Sequence, residues 1–294
     1  MVVSAIMALA MLSGQAASQT APEAPAVVVP DVVPDVVVTA PSRAAIRSFV
    51  ETLADPGLRG PNRGQIARWS DPICVRVIGG VYEDNVRLTE AINAVYASLD
   101  LKAGRPRCQP NVMVVVADNA PGFARVFANR YSNRFFRHHR QPQEAFTAAT
   151  TPVRWEHRTQ VGSAGRQPEI DIGSVPSGRP SVGAANSYIT LSTAERIDRA
   201  MIVLDSRQID VVPIESLAAY IAFVSLVNLP IETVVPERPS ILALFDRRRP
   251  FEGGLTAWDR AFIDSLYAIP NDMPFSIQRR ELAMRMESEL AATD

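Results

Sequence analysis

The stretch Asn111-Val112-Met113-Val114-Val115-Val116-Ala117-Asp118-Asn119-Ala120-Pro121 decides how the chain is read. Five consecutive apolar residues, four of them β-branched, have the length and composition of a buried strand. Asp118 and Asn119 then offer side-chain oxygens to a helix start, and Pro121 suits its first turn. Phe123, Val126, Phe127, Tyr131 and Phe135 continue as the apolar side of that helix.

Working upstream, Ile73 to Ile78 reads as a second buried strand. Tyr82 to Leu101 carries Leu88, Ile92, Val95, Tyr96 and Leu99 at the spacing of one helical face. The order β-α-β-α predicts two adjacent parallel strands joined by a right-handed crossover. Ala44 to Ala54 is an amphipathic helix through Ile46, Phe49, Val50 and Leu53, and Gly57 to Gly64 is a turn-rich break.

Downstream, Val153, Trp155, His157, Thr159 and Val161 alternate with Arg154, Glu156, Arg158 and Gln160. That period of two predicts a strand with one wet face. Gly162 to Asn186 is rich in Gly, Pro and Ser and reads as a long central loop of low order. Tyr188 to Leu191 and Ala200 to Leu204 are strands, and Ile209 to Val212 is a short one. Ile214 to Leu229 is helical and almost without a polar face, which predicts burial on all sides. Thr256-Ala257-Trp258-Asp259 has the form of a capping box with Asp replacing the usual Glu. It opens a helix through Phe262 and Leu266, and Ile277 to Ala291 forms the last one. The fold class is therefore α+β: a mixed sheet with a β-α-β-α start and a helical C-terminal part, in one globular domain over residues 43–294.

The N-terminal residues read as an address rather than a fold. Val2 to Leu12 is apolar except for Ser4, too short to span a bilayer and suited to a signal h-region; Gly14 and Ala16 are the small residues of a cleavage site. No Lys or Arg precedes the run, so an uncleaved membrane-surface anchor stands as the alternative. Residues 1–18 are thus a signal peptide, and 19–42 a linker in which Pro22, Pro25, Pro30, Pro34 and Pro41 favour extended chain. Val36-Val37-Val38-Thr39-Ala40 resembles a segment near the start of TonB-dependent outer-membrane receptors. The chain is too short for such a receptor, which leaves a linker or a strand that docks on a partner. The expected location is the periplasm or the exterior, with no transmembrane segment after signal removal.

In 294 residues, 30 basic and 31 acidic side chains balance to a net charge of −1, which argues against nucleic acid as the partner. Lys102 is the only lysine, a skew that matches codon bias. An exported chain with two cysteines can close them, and Cys74 and Cys108 stand near the N-terminal ends of the two predicted parallel strands, which predicts a disulfide. The segment Arg134-Phe135-Phe136-Arg137-His138-His139-Arg140 lies past a helix end, where cations suit the macrodipole. The same Arg134, Arg137, His138, His139 and Arg140 are the candidate anion site. His157 reads as a packed, hydrogen-bonded side chain, and Glu169 with Asp171 as solvated loop acids. There is no HExxH, no GxSxG, no Walker loop and no GxGxxG after a strand, so catalytic residues, metal ligands and cofactors are all expected to be none.

The second half carries a resemblance. Met201 to Pro230, Arg238 to Phe245 and Leu255-Thr256-Ala257-Trp258-Asp259-Arg260-Ala261-Phe262-Ile263-Asp264-Ser265-Leu266-Tyr267 resemble a family of uncharacterised exported alphaproteobacterial proteins. They also resemble secreted zincin-like metallopeptidases, in which a zinc helix ends in a Leu-Gly-Leu-Pro type pattern matched here by Asn228-Leu229-Pro230. The resemblance implies that the first zinc histidine falls on Ile221, the general base on Ala222 and the second histidine on Ser225. None of these side chains performs that chemistry. The implied function is that of a non-catalytic exported protein, a pseudo-metallopeptidase scaffold that binds an envelope partner. The alternative is an exported hydrolase with a site assembled around the Gly/Ser-rich loop, distinguished by a pocket of convergent polar groups.

Overall fold

In the computed structural model of the chain, residues 41–54, 65–102, 104, 107–137, 139–164, 191–246, 248, 251 and 253–293 are described. The segments read as a signal peptide, as a linker up to residue 40, as the 57–64 break, as most of the Gly/Ser-rich loop and as most of the Tyr188 to Leu191 strand lie outside the described residues. The chain divides into two units, Met1–Val38 and Thr39–Asp294, and every described residue belongs to the second.

In chain order the elements are α1 (Arg43–Ala54), β1 (Arg68–Trp69), β2 (Val75–Gly79), α2 (Tyr82–Ala97), β3 (Val112–Ala117), α3 (Ala120–Arg130), α4 (Arg140–Ala148), β4 (Val153–Ser163), β5 (Thr193–Asp205), α5 (Ser206–Ile209), α6 (Ile214–Leu226), α7 (Ala257–Ala268) and α8 (Phe275–Thr293), with a 3-10 turn at Ile241–Phe245. The apolar run 112–117 is the interior strand expected. It pairs in parallel with β2 (Val77 opposite Val114) and with β5 (Val114 opposite Ile202). β5 is long enough to take β3 and then β1 in parallel along one edge, and β4 antiparallel along the other. The sheet is mixed, and the fold class is as the pattern indicated.

Asn119 caps α3 by accepting from the Gly122 N–H at 2.9 Å. The capping box of α7 is complete: Thr256 Oγ accepts from the Asp259 N–H at 3.0 Å, and Asp259 Oδ2 accepts from the Thr256 N–H at 3.0 Å. Gly79, at φ +89°, turns the chain from β2 into α2. A Cβ at this position would sit inside the van der Waals radius of the Val116 carbonyl oxygen, so only glycine fits.

Alternation along β5 distributes the core. Ile202 and Leu204 face a large cluster with α1, α2, α6, α7 and α8, whereas Val203 faces a smaller one with Phe127, Phe135, Phe136 and Phe146 of the α3–α4 region. Helices on both faces correct the expectation of a wet face on β4. Arg154 and Glu156 are buried, at 2% and 4% exposure, because α3 and α4 cover the side on which they stand. Ile209 to Val212 is not a strand: Asp205 accepts from the Arg207 N–H and starts the short helix α5 instead. Val126 is on the outer side of α3 and 66% exposed, not part of its apolar face.

Helix α6 meets its expectation: Ser216 to Leu226 are all buried. A buried helix end must still satisfy its last carbonyls. Two aromatic donors do so here, and a third serves the segment just beyond. Trp69 Nε1 donates to the Ser225 carbonyl at 2.8 Å, Tyr267 Oη to that of Leu226 at 3.1 Å, and Trp155 Nε1 to that of Leu229 at 3.1 Å.

Candidate functional site

Three places on the described chain bear on function: the cysteine pair, the interior around α6, and the outer edges of the sheet.

Cys74 and Cys108 are bonded, with Cα atoms 6.1 Å apart and a separation of 34 positions in sequence. The parallel register makes this reach possible, because Cys74 precedes β2 and Cys108 approaches β3 from the same end. Asn111 Oδ1 accepts from the Cys74 N–H at 2.7 Å and holds the two starts together. Gly104 lies against the bridge, where an added Cβ would stand 2.6 Å from Cys108 Sγ.

The α6 positions that the peptidase resemblance assigns to zinc chemistry are core positions. Ile221, Ala222 and Ser225 have zero exposure. Ser225 Oγ donates to the Ala222 carbonyl at 2.7 Å and lies 2.7 Å from Tyr96 Oη, which makes the phenol the donor to Ser225. Among the described residues no group of three His, Cys, Asp or Glu side chains could hold a metal ion.

The basic segment 134–140 joins α3 to α4, so it stands at a helix start as well as a helix end; Arg140 is the first residue of α4 and His139 its N-cap position. The paired aromatics between the charges explain the conformation. Phe135 and Phe136 are buried in the smaller cluster, with ring centroids 5.3 and 6.1 Å from that of Phe127, while Arg134, Arg137, His139 and Arg140 point to solvent. His138 lies outside the described residues.

Of the candidate anion-binding residues, Arg137 and His139 line a cavity of about 250 Å³ at the edge of β4, together with Glu156, His157, Arg158 and Asn228. Arg134 and Arg140 do not line it; Arg134 contributes its carbonyl, which accepts from Arg158 Nη1 at 3.1 Å. Much of the positive charge is already committed. Arg158 forms a forked ion pair with Asp198, whose hydrogen bond raises the guanidinium pKa further, and Arg137 Nη1 donates to the Thr159 carbonyl at 3.3 Å. The Arg137 bond covers one backbone carbonyl of β4, a way to protect a terminal strand. His157 is buried at 6% exposure, as its alternation with apolar residues predicted.

The opposite edge is dressed differently. Among the described strands β2 ends the sheet, and Ile78, Val81, Tyr82 and Val86 are exposed there at 43%, 59%, 75% and 37%. Four large apolar side chains within nine residues are therefore exposed near the end of β2 and the start of α2, and exposed apolar clusters are a feature of binding faces. Sequence reasoning missed this exposure because Ile78 closes a run that reads as a buried strand until the sheet order makes β2 terminal.

Among the described residues no helix is long and apolar enough to cross a membrane. No family model matches the chain, and comparison with curated proteins and with solved structures finds no match either.

Proposed function

We propose that the protein is a non-catalytic binding protein of the cell envelope, exported to the periplasm or beyond. In this reading it stands on a scaffold akin to that of zincin-like metallopeptidases in which the zinc helix has become a core helix. The observation that carries the proposal is α6. At its three diagnostic positions this helix is occupied by packing and by the Tyr96–Ser225 hydrogen bond. A catalytic zinc site needs three lone-pair ligands and an open position for water, and Ile221, Ala222 and Ser225 supply interior surface instead. The disulfide supports an oxidising compartment. The patch Ile78–Val81–Tyr82–Val86 supplies the face on which a partner docks.

The test is a photo-crosslinking amino acid placed at Tyr82 in protein expressed in its own host. The expected result is one discrete crosslinked species in the envelope fraction, lost when Ile78 is replaced by Asp. Chelator-sensitive peptidase activity of the purified chain, with zinc bound stoichiometrically, would overturn the reading. So would a protein that crosslinks to nothing and remains in the cytoplasm.

A further inference from the structure

A second cavity on the described chain is lined by none of the residues considered for the sites above. α1 and α8 pack together and leave between them a groove of about 730 Å³. Ile46 and Val50 of α1 form its buried floor, and the apolar surface open to a partner comes from Ala283 and Met284 of α8, Met284 being 47% exposed. A long thioether in an open groove is an adaptable contact surface that costs little to repack.

The charges on the rim are unequal. Arg43, Arg47, Arg279 and Arg280 face the groove with Glu51 and Glu287. Arg43 Nε pairs with Glu287 at 2.7 Å. That leaves three guanidinium groups against the carboxylate of Glu51, and among the described residues none of the three lies within ion-pair distance of an acid. Arg279 rests over the Phe275 ring, 5.7 Å from its centroid, an arrangement that holds the guanidinium in place.

We propose that this groove docks an acidic amphipathic helix of a partner protein, a surface distinct from the β2 patch that rests on the same reading of the chain as a binding protein. The lining spans Arg43 to Glu51 on one helix and Ser276 to Glu287 on the other. Those spans are about 12 and 16 Å of helix axis, which a partner helix of about three turns fills. Its apolar residues at i, i+3, i+4 and i+7 lie along Ala283 and Met284, and Asp or Glu residues on its flanks take the three arginines in forked pairs. A second copy of this chain fits poorly, because a two-fold contact would set the same excess of positive charge against itself. A single-chain fatty acid brings one carboxylate to three guanidinium groups spread over two helices.

The experiment uses the purified mature protein and two fluorescein-labelled peptides of about three turns. Both carry the same leucines at i, i+3, i+4 and i+7; one has glutamates on its flanks and the other lysines. By fluorescence anisotropy in dilute buffer, the glutamate peptide binds at least about tenfold more tightly, and the preference shrinks toward parity at about 500 mM salt. The exposed double substitution R47E/R280E inverts the preference at an unchanged melting temperature, and Met284→Asp weakens both peptides. Equal affinities, a preference for lysines, or no binding by either peptide would overturn the proposal, as would competition by micromolar laurate, which assigns the groove to an amphiphile. Failure here leaves crosslinking at Tyr82 unaffected, so the groove and the general reading fall separately.

Discussion

Tyr96 Oη and Ser225 Oγ lie 2.7 Å apart in the larger core and tie α2 to α6. The pair is fully buried, and burial pushes the phenol well above its ordinary pKa, so it remains a neutral donor. Ser225→Ala removes the acceptor and strands a buried hydroxyl, a loss of about 1–3 kcal/mol. Ile221→His places an imidazole where no cleft exists and costs about 3 kcal/mol or more, without creating activity. Urea unfolding of the two variants, with zinc present and absent, reads both effects; zinc-dependent stabilisation of the histidine variant would contradict the packing described.

The Cys74–Cys108 bridge closes a loop of 34 residues. In the chain-entropy description it restricts the unfolded state by about 3–4 kcal/mol, and the double serine variant loses stability of that order under oxidising conditions. Gly104→Ala also destabilises the oxidised protein, because its methyl group meets Cys108 Sγ. Reduction shrinks that penalty, since the freed side chains can turn away. Melting temperatures with and without reductant distinguish the two effects, and an alanine variant as stable as the parent in both states refutes the contact.

Glu195 is buried, and burial raises its pKa above the ordinary 4.5 in spite of the hydrogen bond from Thr159 Oγ at 3.0 Å. The folded state therefore holds its proton to higher pH than the unfolded state. The contribution is fully favourable below the ordinary value and is lost as pH rises through the folded one. Glu195→Gln keeps the acceptor for Thr159 and removes the titration. It is expected to be more stable than the parent at pH 7 and to lose that advantage toward pH 4, as measured by denaturant midpoints across this range.

Arg68 is 6% exposed, and its guanidinium donates to the carbonyls of Leu266 at 2.5 Å and Ile269 at 2.6 Å, closing the C-terminal end of α7. Burial lowers its pKa to about 10, so it stays charged at neutral pH and suits the negative end of the helix. Arg68→Met keeps most of the volume but leaves both carbonyls without a partner, at a cost of about 2–4 kcal/mol. Hydrogen exchange should quicken first at the end of α7. Loss spread evenly over the sheet would show that Arg68 acts elsewhere.

The sequence by itself determined the elements whose signals are local. Five adjacent apolar residues at 112–116 can only be an interior strand or a buried helix segment, and the capping oxygens of Asp118 and Asn119 end the run at strand length. The spacing of Leu88, Ile92 and Tyr96 defines the inner face of α2. The near-absence of polar residues across Leu217 to Leu226 dictates burial of α6; of its two hydroxyl side chains, Tyr220 and Ser225, the latter pairs with Tyr96. Cysteine positions at the starts of two parallel strands were enough to pair them.

Tertiary structure alone decided what depends on which strand lies beside which. Alternation in β4 is the pattern of a half-wet strand, yet Arg154 and Glu156 are buried, because α3 and α4 return over that face and period two reports orientation but not what covers it. The two-residue strand β1 is too short to leave a periodic signal. It is held by long-range side-chain contacts, such as Gln65 Nε2 to the Thr193 carbonyl at 2.8 Å and the Ile66 N–H to Gln278 Oε1 at 2.7 Å. Both candidate docking faces belong to the same category. The β2 patch exists because the sheet ends there, and the arginine groove because residues 43–51 and 276–287, more than two hundred positions apart, become neighbours only when the chain folds.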